Sequence, residues 1–213
     1  MDAFLTSDEY QFIKAQTKIL VHGNSTVNDK SVLDALHSIA YDKGMNLFEN
    51  ITNEQKALLS PLLTITESLE AEAFLAKLKA YVIPFQHINE KTLKRLFPKV
   101  KKLKMPNLTE LDFKEISYLG WNDAGTERKY IVAQHQGKLI GIKGSFKNSH
   151  KKGICTICNH HSKIGMFIVE TKTSVKGTFT KKGNYICQDS HECNQNVTNL
   201  DKLHRFIEEM NND

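Results

Sequence analysis

The chain has 213 residues, 40% of them hydrophobic and 25% charged, which is enough apolar material for one or two buried cores and argues against general disorder. Its net charge of +5 is split, with seven Lys/Arg against eleven Asp/Glu in residues 1–80 and twenty-two against thirteen in 81–213, so an anionic partner is expected to prefer the second part. The opening residues MDAFLTSDEYQFIK carry acids early and no apolar run approaches the ~20 residues of a membrane span; neither a signal peptide nor a membrane association is expected, and the chain reads as cytoplasmic.

The first eighty residues read as successive short helices. Thr6 with Glu9, Thr26 with Asp29 and Thr52 with Gln55 have capping-box spacing, in which a hydroxyl and a carboxylate or amide three residues on satisfy free amides at a helix start. Each opens a periodic apolar run: Tyr10, Ile13 and Leu20, then Val32, Leu36 and Ile39, then Leu58, Leu59, Leu62 and Leu63. Gly44 is read as the stop of the second helix, and Leu69, Ala73, Ala76 and Ala80 as the face of a fourth. A small helical bundle over 1–84 is the economical arrangement, ending at YVIPFQ, where Pro84 disfavours helix at the residue before it.

Residues 91–104, KTLKRLFPKVKKLK, hold seven basic side chains and no acid. Two readings stand side by side: a phosphate-binding stripe, or a solvated helix face and linker with Leu93, Leu96 and Phe97 buried. From 129 the pattern changes to alternation. KYIVAQHQGKLIGIKGSF predicts two strands around Gln136 and Gly137, and IGMFIVETKT and GTFTKKGNYIC are further strands. A final helix is expected with Thr198 and Asp201 as its capping box and Leu200, Leu203, Ile207 and Met210 on one face. The class is therefore α+β, with an N-terminal helical bundle followed by a mixed α/β domain over 85–213.

All four cysteines fall in one window of that domain: Cys155 and Cys158 in GICTICNHH, and Cys187 and Cys193 in GNYICQDSHECNQ. In a reducing compartment two such pairs point to a metal before disulfides. Zinc takes four thiolate or imidazole ligands in a tetrahedron, and a CxxC turn places two sulfurs on one ion. A CxxC at a strand end, with the second pair at another strand end and beside a helix, is the layout of a treble-clef finger. Buried free thiols and a redox CxxC are the rivals; the second lacks a βαβ context and leaves Cys187 and Cys193 unexplained. His160, His161 and His191 lie nearby, but four sulfurs complete the shell without them, so they are expected outside it. A closed four-sulfur shell has no open position, so one structural zinc ion is expected. The H-x-E glutamate of zinc deaminases is missing, as are GxxxxGK[ST], strand-linked GxGxxG, HExxH and GxSxG, and a non-enzymatic binding protein is the expectation.

The segments TVNDK, YVIPF, GWNDAGTERKYIV, CTICN, KKGNYICQDS and FIEEM, in order from residue 26 to 210, make the chain resemble the FusB family of elongation factor G-binding proteins of the fusidic-acid-resistance type. The resemblance implies a helical N-terminal domain and a treble-clef zinc domain. It also implies binding to the C-terminal domains of elongation factor G, release of the factor from ribosomes on which fusidic acid has trapped it, and only indirect contact with the ribosome. The family's binding surface maps onto Lys182, Tyr185, Phe206 and Ile154, the last departing from the phenylalanine of the family pattern. The competing class is a zinc-finger nucleic-acid-binding protein that uses the 91–104 stripe.

Overall fold

The computed structural model describes residues 1–172 and 179–211. By its internal contacts the chain divides into two units, Met1–Ile83 and Pro84–Asp213.

The first unit is helical: α1 (Ser7–Thr26), α2 (Lys30–Met45), α3 (Asn53–Leu59) running into a 3-10 turn at Ser60–Leu63, and α4 (Ser68–Lys79). The capping boxes at Thr6/Glu9 and Thr52/Gln55 form as the spacing predicts. Thr26/Asp29 does not. The Thr26 hydroxyl donates to the His22 carbonyl and belongs to the last turn of α1, so Asp29 itself caps α2 by accepting from the Ser31 amide. Gly44 is likewise not a stop but a buried residue inside α2, where a β-carbon would lie 3.0 Å from Leu62 Cδ1.

Two helix faces differ from the expected ones. In α2, Val32 and Ile39 are exposed while His37, Ala40 and Gly44 are buried, because small residues let α2 approach the 3-10 turn closely. His37 bridges that approach: its Nδ1 lies 3.1 Å from the Leu62 carbonyl, which can only accept, so Nδ1 carries the proton and Nε2 accepts from Asn24 Nδ2 at 3.2 Å. In α4 the buried face is Ala71, Phe74 and Leu78, and Leu69 is 76% exposed; a face with one aromatic and one leucine buries more apolar area than the alanine face. The unit closes where its ends meet, as the Ile83 amide donates to the Leu5 carbonyl at 2.7 Å and the Leu5 amide to the Tyr81 carbonyl at 3.1 Å.

The second unit begins with α5 (Glu90–Leu96) and continues into an antiparallel five-stranded meander. Its strands are β1 (Tyr118–Asp123), β2 (Arg128–His135), β3 (Lys138–Ile154), β4 (His161–Lys172) and β5 (Phe179–Cys187), in spatial order β1-β2-β3-β4-β5. Helices α6 (Ser190–Gln195) and α7 (Asp201–Met210) follow. The β2–β3 turn is Gln136–Gly137 with φ of +48° and +74°, the pair of positive values a two-residue hairpin turn favours. The expected segments are strands as their alternation predicts, over 129–135 and 138–146 on either side of the turn, over 164–172 and over 179–187, while Thr173 of the second expected segment and Gly177 and Thr178 of the last lie outside the described residues. β1 has no counterpart in the expectations, since YLGWND mixes glycine and turn-forming residues into a strand.

Alternation assigns the two faces of the sheet. Ile131, Ala133, Ile142, Phe146, Phe167 and Ile186 pack with Leu203, Phe206, Ile207 and Met210 of α7. Tyr130, Val132 and Leu119 pack on the opposite face with Leu93 and Phe97 of α5 and its C-terminal end. The apolar face of α7 is as predicted, but its capping box is not: no side chain caps from Leu200, and Asn199 Oδ1 accepts from the Asp201 amide at 2.6 Å in place of Thr198. Three rings fix α5 to the sheet, with Phe97 edge-on to Trp121 and Tyr130 (5.8 and 5.2 Å between centroids) and those two stacked at 4.9 Å. Truncation of Phe97, 4% exposed at the centre of this trio, removes buried area and leaves a cavity. Phe97→Ala is expected to destabilise the second unit by about 3–5 kcal/mol, read as a lower denaturation midpoint for it. A midpoint unchanged from the parent contradicts this packing.

Candidate functional site

The local chain around Cys155 explains its position. β3 ends at Ile154, and the next residues form a tight knuckle in which the Asn159 amide donates to the Cys155 carbonyl at 2.9 Å and the Cys155 amide to the His160 carbonyl at 3.1 Å. Asn159 takes φ +58°, a left-handed value that asparagine tolerates better than most residues. Cys187 is the last residue of β5, and Cys193 lies in α6, whose N-cap Asp189 accepts from the His191 and Glu192 amides. Three elements thus deliver four sulfurs to one point.

All four Sγ atoms lie within 4.8 Å of one another, with Cys155–Cys193 at 3.8 Å and Cys158–Cys187 at 3.7 Å. No disulfide joins them. A tetrahedral ion with metal–sulfur bonds of ~2.3 Å needs sulfurs about 3.8 Å apart, so the donor set fits a single zinc-like ion. Hydrogen bonds from Cys158, Cys187 and Cys193 push the Cys155 thiol far down, while its proximity drives Cys158 and Cys193 up. Four thiolates this close repel unless a dication is shared between them. Histidine is not part of this group: His160, His161 and His191 are exposed, and His191 Nε2 faces Gln195 Nε2 at 2.9 Å.

Groups outside the shell hold the ligands. Ser162 Oγ lies 3.0 Å from Cys187 Sγ, and the Cys187 amide donates to Cys155 Sγ at 3.4 Å. Asn194, next to the last ligand, is buried and fully bonded: Oδ1 accepts from the Ser117 and Tyr118 amides, and Nδ2 donates to the Tyr118 and Ser190 carbonyls. Lys129 is 0% exposed, with its ammonium 3.1 Å from Asn122 Oδ1, 3.0 Å from the Gln188 carbonyl and 4.9 Å above the Phe146 ring. Burial brings it down to about 8, opposed by the charges of Cys193, Asp189 and Cys187. A cation beneath a four-thiolate centre offsets its negative charge. Neither Asn194 nor Lys129 carries a sequence signal, since Asn194 acts through the packing of α6 on the start of β1 and Lys129 through strand register.

The expected partner surface divides. Lys182 and Tyr185 are exposed on β5, which is an edge strand; their register partners Val169 and Met166 put them on opposite faces of it. Ile154 is 56% exposed and Tyr185 46%, and the Thr156 amide donates to the Tyr185 carbonyl at 2.9 Å, so the knuckle following Ile154 abuts β5 at Tyr185. Phe206 departs from the expectation: it is 0% exposed, with its ring 5.9 Å from that of Phe167 in the α7 core, because the apolar stripe of α7 turns it onto the sheet. A surface residue absent from the sequence reading is Phe179, 56% exposed at the start of β5. Among the described residues of this unit, Ile154, Phe179 and Tyr185 are its exposed large hydrophobic side chains.

A four-cysteine centre between two strand ends and a helix, in a unit that follows a helical one in the sequence, defines the class as a treble-clef zinc-finger protein. Residues 97–212 match the family model described as FBP C-terminal treble-clef zinc-finger, and residues 4–86 match that of elongation factor G-binding protein, N-terminal. A solved structure, that of the fusidic acid resistance protein FusC, is 33% identical, covers 98% of each chain and superposes with a TM-score of 0.84. No curated protein matches the sequence. The chain belongs to the FusB family of elongation factor G-binding proteins, the fusidic-acid-resistance type.

Elemental analysis is expected to give one metal ion per chain. Cys193→Ser is expected to lose the ion and the cooperative unfolding of the second unit, since binding free energy at such a centre is largely folding free energy. A variant that melts like the parent refutes a structural role for the centre.

Proposed function

We propose that this protein binds elongation factor G through the surface beside its metal centre and promotes release of the factor from ribosomes on which fusidic acid has trapped it. The observation that carries the proposal is the exposure of Ile154 and Tyr185 where the knuckle abuts the end of β5, with Phe179 exposed at the start of the same strand, in a domain of the FusB family. Apolar and aromatic anchors on a rigid element are what a protein interface is built around. The ion in the cysteine shell is zinc, as the soft, tetrahedral four-sulfur set favours, and it is structural: with Cys155, Cys158, Cys187 and Cys193 all engaged no position is left for a substrate. The protein works without catalysing a reaction and in the cytoplasm, where its partner acts; no described helix is long and apolar enough to cross a membrane.

The mechanism is mass action. A ligand shifts an equilibrium only by its differential affinity for the two states, so this protein must hold a conformation of the factor that the ribosome binds poorly, through contacts to the factor's C-terminal domains. The chain's own part is preorganisation. Zinc fixes the knuckle and the end of β5, so Tyr185 loses little further freedom on binding, and tyrosine adds a large contact with few rotatable bonds. Lys182 adds an exposed cation on the same strand, which accelerates encounter more than it tightens the complex.

Sedimentation of ribosomes loaded with elongation factor G and fusidic acid tests the release: added protein is expected to move the factor into the supernatant. A factor that stays with the ribosomes while it demonstrably binds the free protein overturns release.

Two variants separate the surface from the core. Tyr185→Ala is expected to weaken binding of the factor at least tenfold with an unchanged melting temperature, as loss of a central anchor does. Phe206→Ala is expected to do the reverse, lowering the melting temperature while the affinity per folded molecule stays that of the parent. Calorimetric melting beside a binding titration decides, and a Tyr185→Ala protein that melts early but binds normally ends the interface assignment.

A further inference from the structure

We propose that the second unit carries a separate RNA phosphate-backbone site on the opposite side of the sheet from α7, built by the Lys99–Lys104 segment together with Arg128 and Lys143. The basic residues of 91–104 are all exposed, while Leu93 and Phe97 from the same segment are buried, so the chain turns its apolar side to the sheet and its charge outward. The segment after α5 is pinned at both ends. Phe97 is held in the aromatic trio, and at the other end Trp121 Nε1 donates to the Lys104 carbonyl at 2.9 Å while Lys104 Nζ meets Asp123 Oδ1 at 3.1 Å.

Strand register then adds cations from elsewhere in the sequence. Lys143 is the cross-strand partner of Tyr130, which the Phe97 ring touches edge-on, and Arg128 lies two residues before Tyr130 on the same face of β2. The half-buried Lys143 feels both Arg128 and Lys99, whose positive charges add to burial in lowering its affinity for a proton. Lys147, two pleats along β3, extends the row. The nearby acids are engaged or outnumbered: Asp123 by Lys104, Thr126 and the Gly125 amide, Glu90 by Lys94, with Glu127 left beside Arg128. Among the described residues Lys99, Arg128 and Lys143 make no ion pair. Three cations converge from three elements, with Asp123, the cross-strand partner of Arg128, already engaged by Lys104, and Glu127 as the other neighbouring acid; their mutual repulsion opposes folding, and a polyanion relieves it.

The face fits phosphate better than protein. The cores of protein interfaces are depleted in lysine and built on apolar anchors, yet among the described residues the exposed large hydrophobics of this unit are Ile154, Phe179 and Tyr185, none of them in this segment or on β2. Lysine and arginine alone, fixed on a rigid surface, make sequence-independent backbone contacts. The proposal stands apart from elongation factor G binding.

Fluorescence anisotropy of the full chain with a labelled 20-base-pair RNA duplex, titrated across 50–200 mM NaCl, tests it, with Lys99→Gln/Arg128→Gln/Lys143→Gln beside an equally neutralised control, Lys138→Gln/Lys163→Gln/Lys202→Gln. The parent is expected to bind with micromolar affinity at the low-salt end and to weaken steeply with salt. The first triple variant is expected to lose at least tenfold in affinity, with the slope of log affinity against log salt shallower by about 2–3, since each phosphate contact contributes about one. The control triple is expected to stay within threefold of the parent, and both triples to keep parent-like affinity for elongation factor G and parent-like melting. Absence of RNA binding by the parent, equal losses in both triples, or loss of elongation factor binding by the first triple overturns the proposal; the last outcome assigns the face to a protein.

Discussion

Four sulfurs from three chain segments, held within 4.8 Å, are the constraint on which the second unit depends. They tie the end of β3, the end of β5 and the start of α6 to one point, and everything adjacent inherits that fixity. Asn194 carries it to the start of β1 through three hydrogen bonds with Ser117 and Tyr118, and Lys129 carries it into β2 through the Gln188 carbonyl. A small sheet with short helices on its faces has modest apolar area to set against its ordering entropy, and a metal clip at the sheet's end supplies what packing does not. The proposed binding surface inherits that fixity, since Tyr185 lies two residues before Cys187 and its carbonyl receives the knuckle's Thr156 amide.

How much of this was legible in the sequence follows from how local each signal is. The cysteine spacing reports its chemistry directly, because a CxxC turn and a second pair near a helix have few other uses, and the sulfurs converge as expected. Alternation located the strands from β2 to β5, and period 3.6 located most helices. Faces were harder. In α2 and α4 apolar residues occur on more than one side, and the buried side was chosen by close approach, at Gly44 against Leu62 and at Phe74 and Leu78 in the bundle core. Caps failed where a neighbour had a better use for the group: Thr26 bonds back to His22, and Asn199 takes the place of Thr198.

What could not be read depends on register. Lys129 looks like any strand lysine until pairing with β1 and β3 places it at the Gln188 carbonyl and over Phe146. The Phe97–Trp121–Tyr130 trio joins three segments whose order in space no periodicity encodes. Phe206 shows the converse: family resemblance placed it on the binding surface, and packing on Phe167 puts it in the core. The same domain thus separates its exposed side chains, with Ile154, Phe179 and Tyr185 at the knuckle and along β5 and, among the described residues, cations without an ion pair near α5.

The central claim is that β5 and the zinc knuckle form the surface that meets elongation factor G. Hydrogen exchange of the full chain, with and without saturating factor, tests it most directly, since a docked edge strand and the knuckle amides that abut it open less often. The account predicts added protection at residues 154–160 and 179–187, with α1 to α4 exchanging as in the free protein. Protection confined to α1–α4, with β5 unchanged, would contradict it.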